Sequence, residues 1–259
     1  MGLFDLLSKE GRARSALATN IKRVLNKHAQ SPERFQAMQK LREIGSDEAI
    51  LGLARRFSYV YDKLSEDEQE KEWVCESLIG MGERAVAPLR AYAKGAESLS
   101  WPLRVLEKIA GKDTLLAVVD EVLARDEPGY TRNPTRKIQV LTWLGEWKGA
   151  SDREIAARIV PYLADFDETV RFTAADAVSH HRDEETLRAP LLDALLRPEE
   201  ESRRIKVRAA EVLADAGCVV TDRKEAVARL LAEELAEFGM QHDKLVRPDN
   251  PDKKKRERR

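Results

Sequence analysis

The chain has 259 residues, of which 42% are hydrophobic and 35% charged, with 45 Lys and Arg against 46 Asp and Glu for a formal net charge of -1. So even a balance excludes a global attraction to nucleic acid or to an anionic membrane, and only 13 Gly and 10 Pro argue for helices over a strand-and-turn architecture. Cys75 and Cys218 lie far apart and form no CxxC motif, so they are expected to be small buried residues in a reducing compartment.

The first element is an amphipathic helix. Leu3, Leu6, Leu7, Leu17, Ile21, Val24 and Leu25 recur at helical spacing with Lys and Arg between them, which assigns residues 1–30 to a helix that caps the open end of a helical stack. Binding to a membrane surface is the alternative. Asp5, Lys9 and Glu10 interrupt the apolar run too early for a signal peptide or a membrane span, and a cytoplasmic location is expected.

From residue 31 to 240 the chain repeats itself. VRFTAADAV (170–178) returns as IKVRAAEVL (205–213), with looser copies in RFQAMQKLREIG, EKEWVCESLIGMG, SWPLRVLEKIAG and QVLTWLGEW. Each copy is followed by a second helical pattern, in order DEAILGLARRF, RAVAPLRAYA, DTLLAVVDEVL, REIAARIVPYL, ETLRAPLLDALL and KEAVARLLAEEL. Ile44, Met81, Ile109, Trp147, His181 and Ala216 occupy one interior seam position at successive spacings of 37, 28, 38, 34 and 35 residues.

The punctuation agrees with six helix pairs. Ser31-Pro32 and Asn133-Pro134 open helices, Ser65 with Glu68 and Ser151 with Glu154 fit capping boxes, and Gly45, Gly82, Gly111 and Gly217 sit where first helices stop. No window alternates with period two, so no sheet is expected. Residues 241–259, with two prolines and the basic run KKKRERR, read as a disordered tail, and any nucleic-acid contact is assigned to it alone.

These features predict an all-α protein: an α-solenoid of about six antiparallel helix pairs with an N-terminal capping helix. Asp167, Val170, Arg171, Ala174, Ala175, Ala177 and Val178 resemble the first-helix pattern of the HEAT-repeat family, in its short bacterial form related to phycobilin-lyase-type repeats. The resemblance implies a right-handed superhelix with second helices on its concave side, and a ladder in which Arg171 pairs with Asp167. Independently of it, Ala174, Ala175, Ala209 and Ala210 are small where one pair must approach the next closely.

Several candidate sites follow. His180-His181 invites a metal reading, but adjacent helical residues face different ways, His181 falls on the seam, and His28 and His242 complete no ligand set, so both are expected to be structural. Trp73, Trp101, Trp143 and Trp147 all lie on first helices, which with the weakly acidic second helices opposes a DNA-glycosylase-like grip. The acidic run SEDEQEKE (65–72) reads as a solvated first turn.

No catalytic constellation, cofactor motif or metal spacing emerges, and the expectation is a non-enzymatic scaffold that binds a protein or peptide partner. The alternative is an enzyme of lyase or glycosylase type built on the same repeats. Arg55 and Tyr59, four apart beside the Ile50, Leu53, Ala54 and Phe57 stripe, together with Arg90, Lys94 and Arg158, are the predicted partner-binding residues. They would offer a mildly basic N-terminal half to an acidic partner segment.

Overall fold

A computed structural model describes residues 9–247 of the chain, which divides into two compact units, Met1–Arg125 and Asp126–Arg259. The N-terminal unit holds α1 (Lys9–Val24), α2 (Ser31–Ile44), α3 (Asp47–Ala54), α4 (Leu64–Gly80), α5 (Val86–Gly95), α6 (Ser100–Ile109) and α7 (Lys112–Leu123). The sequence dictates the sharp joints between them. At the end of α2, Gly45 takes a left-handed φ of 57° and returns its N–H to the Leu41 carbonyl, and Ser46 then caps α3 by accepting from the Ala49 amide.

Like helices pack on like. The first helices α2, α4 and α6 follow one another in contact, as do the second helices α3, α5 and α7, which produces two layers with an apolar interior. Met38, Leu41, Ile50, Leu53, Phe57, Leu78, Leu89 and Leu103 fill it. Helix α1 lies on α2 and α3 and buries Leu17 and Val24 there. Gly52 of α3 makes room for it: a Cβ at that position would stand 2.7 Å from Cγ1 of Ile21.

The C-terminal unit contains α8 (Thr135–Glu146), α9 (Asp152–Ile159) with a 3₁₀ extension, α10 (Glu168–Val178), α11 (Ala189–Leu195), α12 (Arg203–Asp215) and α13 (Lys224–Glu233). It follows the same rule, with α10 sandwiched between α8 and α12. The approach is close because the facing residues are small. A Cβ on Gly145 would fall 2.9 Å from Cα of Ala177, and Ala174, Ala175, Ala209 and Ala210 are all essentially inaccessible. Ser151 and Glu154 form the expected capping box. The architecture is therefore an all-α solenoid of stacked helix pairs within each unit.

Other local expectations are corrected. Helix α4 starts at Leu64 with Lys63 as its cap, because the Asp67 carboxylate has been taken by the Tyr61 amide and Ser65 caps nothing. Helix α2 is capped at Gln30, while Ser31 donates its hydroxyl to Glu70. Gly111 precedes α7 with an ordinary φ of -66°. On the seam, Trp147 and His181 are buried, whereas Ile44, in the last turn of its helix, is 44% exposed.

The largest correction is at the C-terminus, where a sheet was not expected and disorder was expected from residue 241. β1 (Gly239–Gln241) pairs antiparallel with β2 (Lys244–Val246), and β2 packs on α12 with Leu245 buried. Strands of three residues are too short to show a period of two. Their turn, His242 and Asp243 with φ of 50° and 59°, is left-handed without the glycine that signals such turns. Residues 1–8 of the predicted capping helix and the KKKRERR run lie outside the described residues. No helix among the described residues is long and apolar enough to cross a membrane.

Candidate functional site

The acidic run 65–72 is not a solvated turn. Two of its carboxylates are buried at the centre of a charge cluster in the N-terminal unit: Arg34 and Arg56 are fully buried, with Asp67, Glu70 and Lys71 nearly so. Glu70 accepts from Arg34 at 2.8 Å and from Arg56 at 2.7 Å, and Asp67 accepts from Arg56 and Lys71 at 2.7 Å each. The Tyr61 and Tyr59 rings lie 4.1 and 4.3 Å from the guanidinium carbons of Arg34 and Arg56. Burial alone would raise the Glu70 pKa, but the Arg34 and Arg56 hydrogen bonds outweigh it and hold the carboxyl below its usual range. Asp67 is likewise lowered, by Lys71 and Arg56 against the effect of burial. The mutual satisfaction of these charges makes the cluster a structural device that ties α2, α3 and α4 together.

A related ladder runs through the C-terminal unit. Lys137 reaches Asp165 at 2.8 Å, Arg171 reaches Glu200 at 2.7 Å, and Lys206 reaches Glu234. The implied Arg171–Asp167 pair does not form. Asp167 instead caps α10 by accepting from the Thr169 and Val170 amides, while Arg171 also donates to the Asp165 and Phe166 carbonyls. In this unit a basic residue in the first turn of each first helix thus pairs with an acid that follows the helix pair.

Of the five predicted partner-binding residues, Arg55, Tyr59, Arg90 and Lys94 belong to the N-terminal unit and Arg158 to the C-terminal one. Arg90 and Lys94 both pair with Glu121 of α7, whose carboxyl is held down to about 2, chiefly by the Arg90 hydrogen bond. Arg158 donates to the Glu154 carbonyl of its own helix. Tyr59 donates its hydroxyl to the Val24 carbonyl at 2.6 Å and so fastens α1. Because α3 ends at Ala54 and a 3₁₀ turn follows, Arg55 and Tyr59 do not share a helical face. Arg55 is exposed, and its guanidinium makes no hydrogen bond or ion pair with another described residue.

Arg55 lines one of two grooves that flank the buried stripe of α1. This groove, about 580 Å³, is completed by Ala18, Ile21, Lys22, Leu25 and Asn26. The second, about 330 Å³, is lined by Arg12, Ser15, Ala16, Thr19, Asn20 and Arg23 of α1 and Lys40 of α2. Sequence inspection assigned α1 a capping role from its apolar residues, and the Lys and Arg between them were the signal for these grooves. Nearby, the Tyr92 hydroxyl is buried with no hydrogen-bond partner among the described residues, and burial pushes its pKa to about 12 against the opposing charge of Arg55.

The histidines lie past the end of α10, in the turn after Val178, and not on its last turn as adjacent helical residues. His181 is buried, with Nδ1 2.9 Å from Asp152 Oδ1 and Nε2 3.1 Å from the Leu144 carbonyl, while His180 is exposed. Burial would raise the Asp152 carboxyl, but the Arg182 and Asp183 amides and the His181 ring together lower it. Among the described residues no three His, Cys, Asp or Glu side chains converge as metal ligands. The tryptophans pack internally: Trp73 edge-on to Phe35, Trp101 stacked on Phe57, and Trp143 on Trp147. Cys75 and Cys218 are buried free thiols whose pKa burial raises, which makes them poor nucleophiles.

Fold and site together define an all-α helical-repeat protein with a basic N-terminal helix. No protein-family model matches the chain, and no curated protein matches its sequence. Among solved structures it is similar to human deoxyhypusine hydroxylase in complex with glycerol, at 15% sequence identity and a TM-score of 0.31, over 87% of this chain and 93% of that one. The expectation that the chain is not an enzyme is not upheld: the similar protein is named a hydroxylase, and a likeness at this level assigns no activity to this chain and removes none. At that level of similarity no residue role passes from one to the other.

Proposed function

We propose that this chain is a helical-repeat scaffold of HEAT-like type that docks an acidic protein segment in the Arg55 groove. The observation that carries the reading is the state of Arg55. The other cations of the predicted set are engaged within the chain, whereas Arg55 is exposed, its guanidinium makes no hydrogen bond or ion pair with another described residue, and it shares a groove with Lys22, Ile21 and Leu25. Two cations beside two aliphatic side chains suit a segment that alternates carboxylates with apolar residues. Guanidinium groups in such settings are favoured anchors. The membrane alternative is disfavoured because Leu17 and Val24, the apolar centre of α1 among the described residues, are buried against α2 and α3.

The test is fluorescence anisotropy with a labelled peptide of alternating Glu and Leu. Reversal of both cations, Lys22→Glu with Arg55→Glu, is expected to weaken binding at least tenfold, about 1.4 kcal/mol, without changing the melting temperature. Arg90→Glu should instead lower the melting temperature, because it sets two carboxylates together at Glu121. Equal affinity for the parent and the doubly reversed variant would sink the reading.

A further inference from the structure

We infer that the second groove, between α1 and α2, is a binding site for a phosphoryl group carried on an acidic peptide segment. Three cations line it, Arg12 and Arg23 from α1 and Lys40 from α2, and none of their side chains makes an ion pair or hydrogen bond with another described residue. No acidic side chain lines the groove, in contrast to the buried cluster around Glu70 and the paired surface cations of α5. Among the described residues that line the groove, nothing compensates this charge.

The second observation is independent of charge. Asn20 lines the same groove at 5% exposure, and its side chain makes no hydrogen bond to another described residue. What little of Asn20 remains accessible lies on the groove, so its carboxamide is placed to meet a ligand there rather than a group of α1 or α2. Ser15 adds a hydroxyl with no acceptor among the described residues, whereas Thr19 has committed its proton to the Ser15 carbonyl. The floor of the groove therefore presents amide and hydroxyl donors, and guanidinium and ammonium groups stand around them. That set fits an oxyanion with several oxygens, and a guanidinium grips phosphate through paired N–H donors.

The shape selects the carrier. Arg12 and Arg23 are eleven residues apart, which on a helix is about 16 Å, too far for both to grip one phosphate. One end holds the phosphoryl group, and the other meets a further acidic group of the same ligand. A nucleotide or single-stranded nucleic acid would need a ring platform, and no aromatic side chain lines the groove. A lipid headgroup would bring acyl chains toward a helix whose apolar side chains Leu17 and Val24 are already buried. An extended peptide, at about 3.4 Å per residue, would cross the groove in about five residues.

The inference does not depend on the Arg55 groove, since the two open on different flanks of α1 and share no lining residue. The experiment uses the full chain and three labelled nine-residue peptides that differ at one position, phosphoserine, serine or glutamate, each followed by two glutamates. Inorganic phosphate and phosphatidylserine vesicles are added in separate arms. The expected result is that the phosphopeptide binds at least tenfold more tightly than the serine peptide, and that Arg23→Gln with Lys40→Gln removes this advantage. Both positions are exposed, so the variant keeps its fold, and Arg14→Gln, an α1 cation outside both grooves, should bind like the parent. Phosphoserine and serine peptides of equal affinity, or an advantage that survives the double variant, would overturn the proposal. Inorganic phosphate binding as tightly as the phosphopeptide would overturn the peptide carrier in favour of a free anion. Vesicle binding lost in the same variant without any peptide preference would assign the groove to lipid.

Discussion

His181 shows how a residue that resembles a reactive site becomes part of the frame. Both ring nitrogens face acceptors, the Asp152 carboxylate and the Leu144 carbonyl, and the same Asp152 also accepts from the Arg182 and Asp183 amides. His181→Ala should therefore lower stability by about 1–3 kcal/mol, because it leaves a buried carbonyl unpaired, whereas His180→Ala should leave the urea midpoint unchanged. One equivalent of zinc in the purified protein would contradict the structural assignment. The position of His181 was legible because the repeat register placed it on the seam; its partners were not, since Asp152 and Leu144 lie 29 and 37 residues away and only packing brings them near. The same holds for Arg55 and Arg90, which look alike in sequence. Glu121, 31 residues beyond Arg90, neutralises one of them and leaves the other to solvent.

At the scale of elements, the small residues set how closely first helices approach. Gly145 of α8 faces Ala177 of α10, and a methyl group there would meet Ala177 at 2.9 Å, closer than atoms pack without displacement. Gly145→Ala and Ala174→Leu are both expected to cost about 1–3 kcal/mol by overpacking, despite the better helix propensity of Ala over Gly. Thermal melts decide it: two variants that melt with the parent would mean that α8, α10 and α12 are not packed in this register. The helices were legible because their apolar period is long and recurrent. The β-hairpin escaped notice because three-residue strands carry too little pattern, and Leu245 is held by α12 rather than by any local preference.

Across the whole molecule, both units are fastened by buried ion pairs, and this gives the protein a signed response to pH. Glu70 and Asp67 in the N-terminal unit and Glu200 in the C-terminal unit all have pKa values lowered in the folded state, as hydrogen bonds from Arg34, Lys71 and Arg171 overcome burial. A carboxyl whose folded pKa lies below its unfolded one contributes stability that is fully present above the unfolded value and is lost as pH falls through the folded value. Unfolding free energy should therefore be level above the ordinary carboxylate range and decline beneath it. Glu70→Gln, which strands two buried guanidinium groups, should cost about 3–5 kcal/mol and flatten part of that decline. A variant with the parent's acid profile would show that Glu70 does not hold the cluster. The sequence by itself determined the helix pairs, their order and the small residues between them, because these depend on periods of three to four residues and on a repeat of about thirty-five, which any neighbouring stretch reveals. Only the tertiary structure decided which charges are spent and which remain. Ion pairs such as Arg34–Glu70 and Arg171–Glu200 join residues about thirty positions apart, at distances that no local pattern encodes, and the basic grooves beside α1 exist because no carboxylate was folded into them.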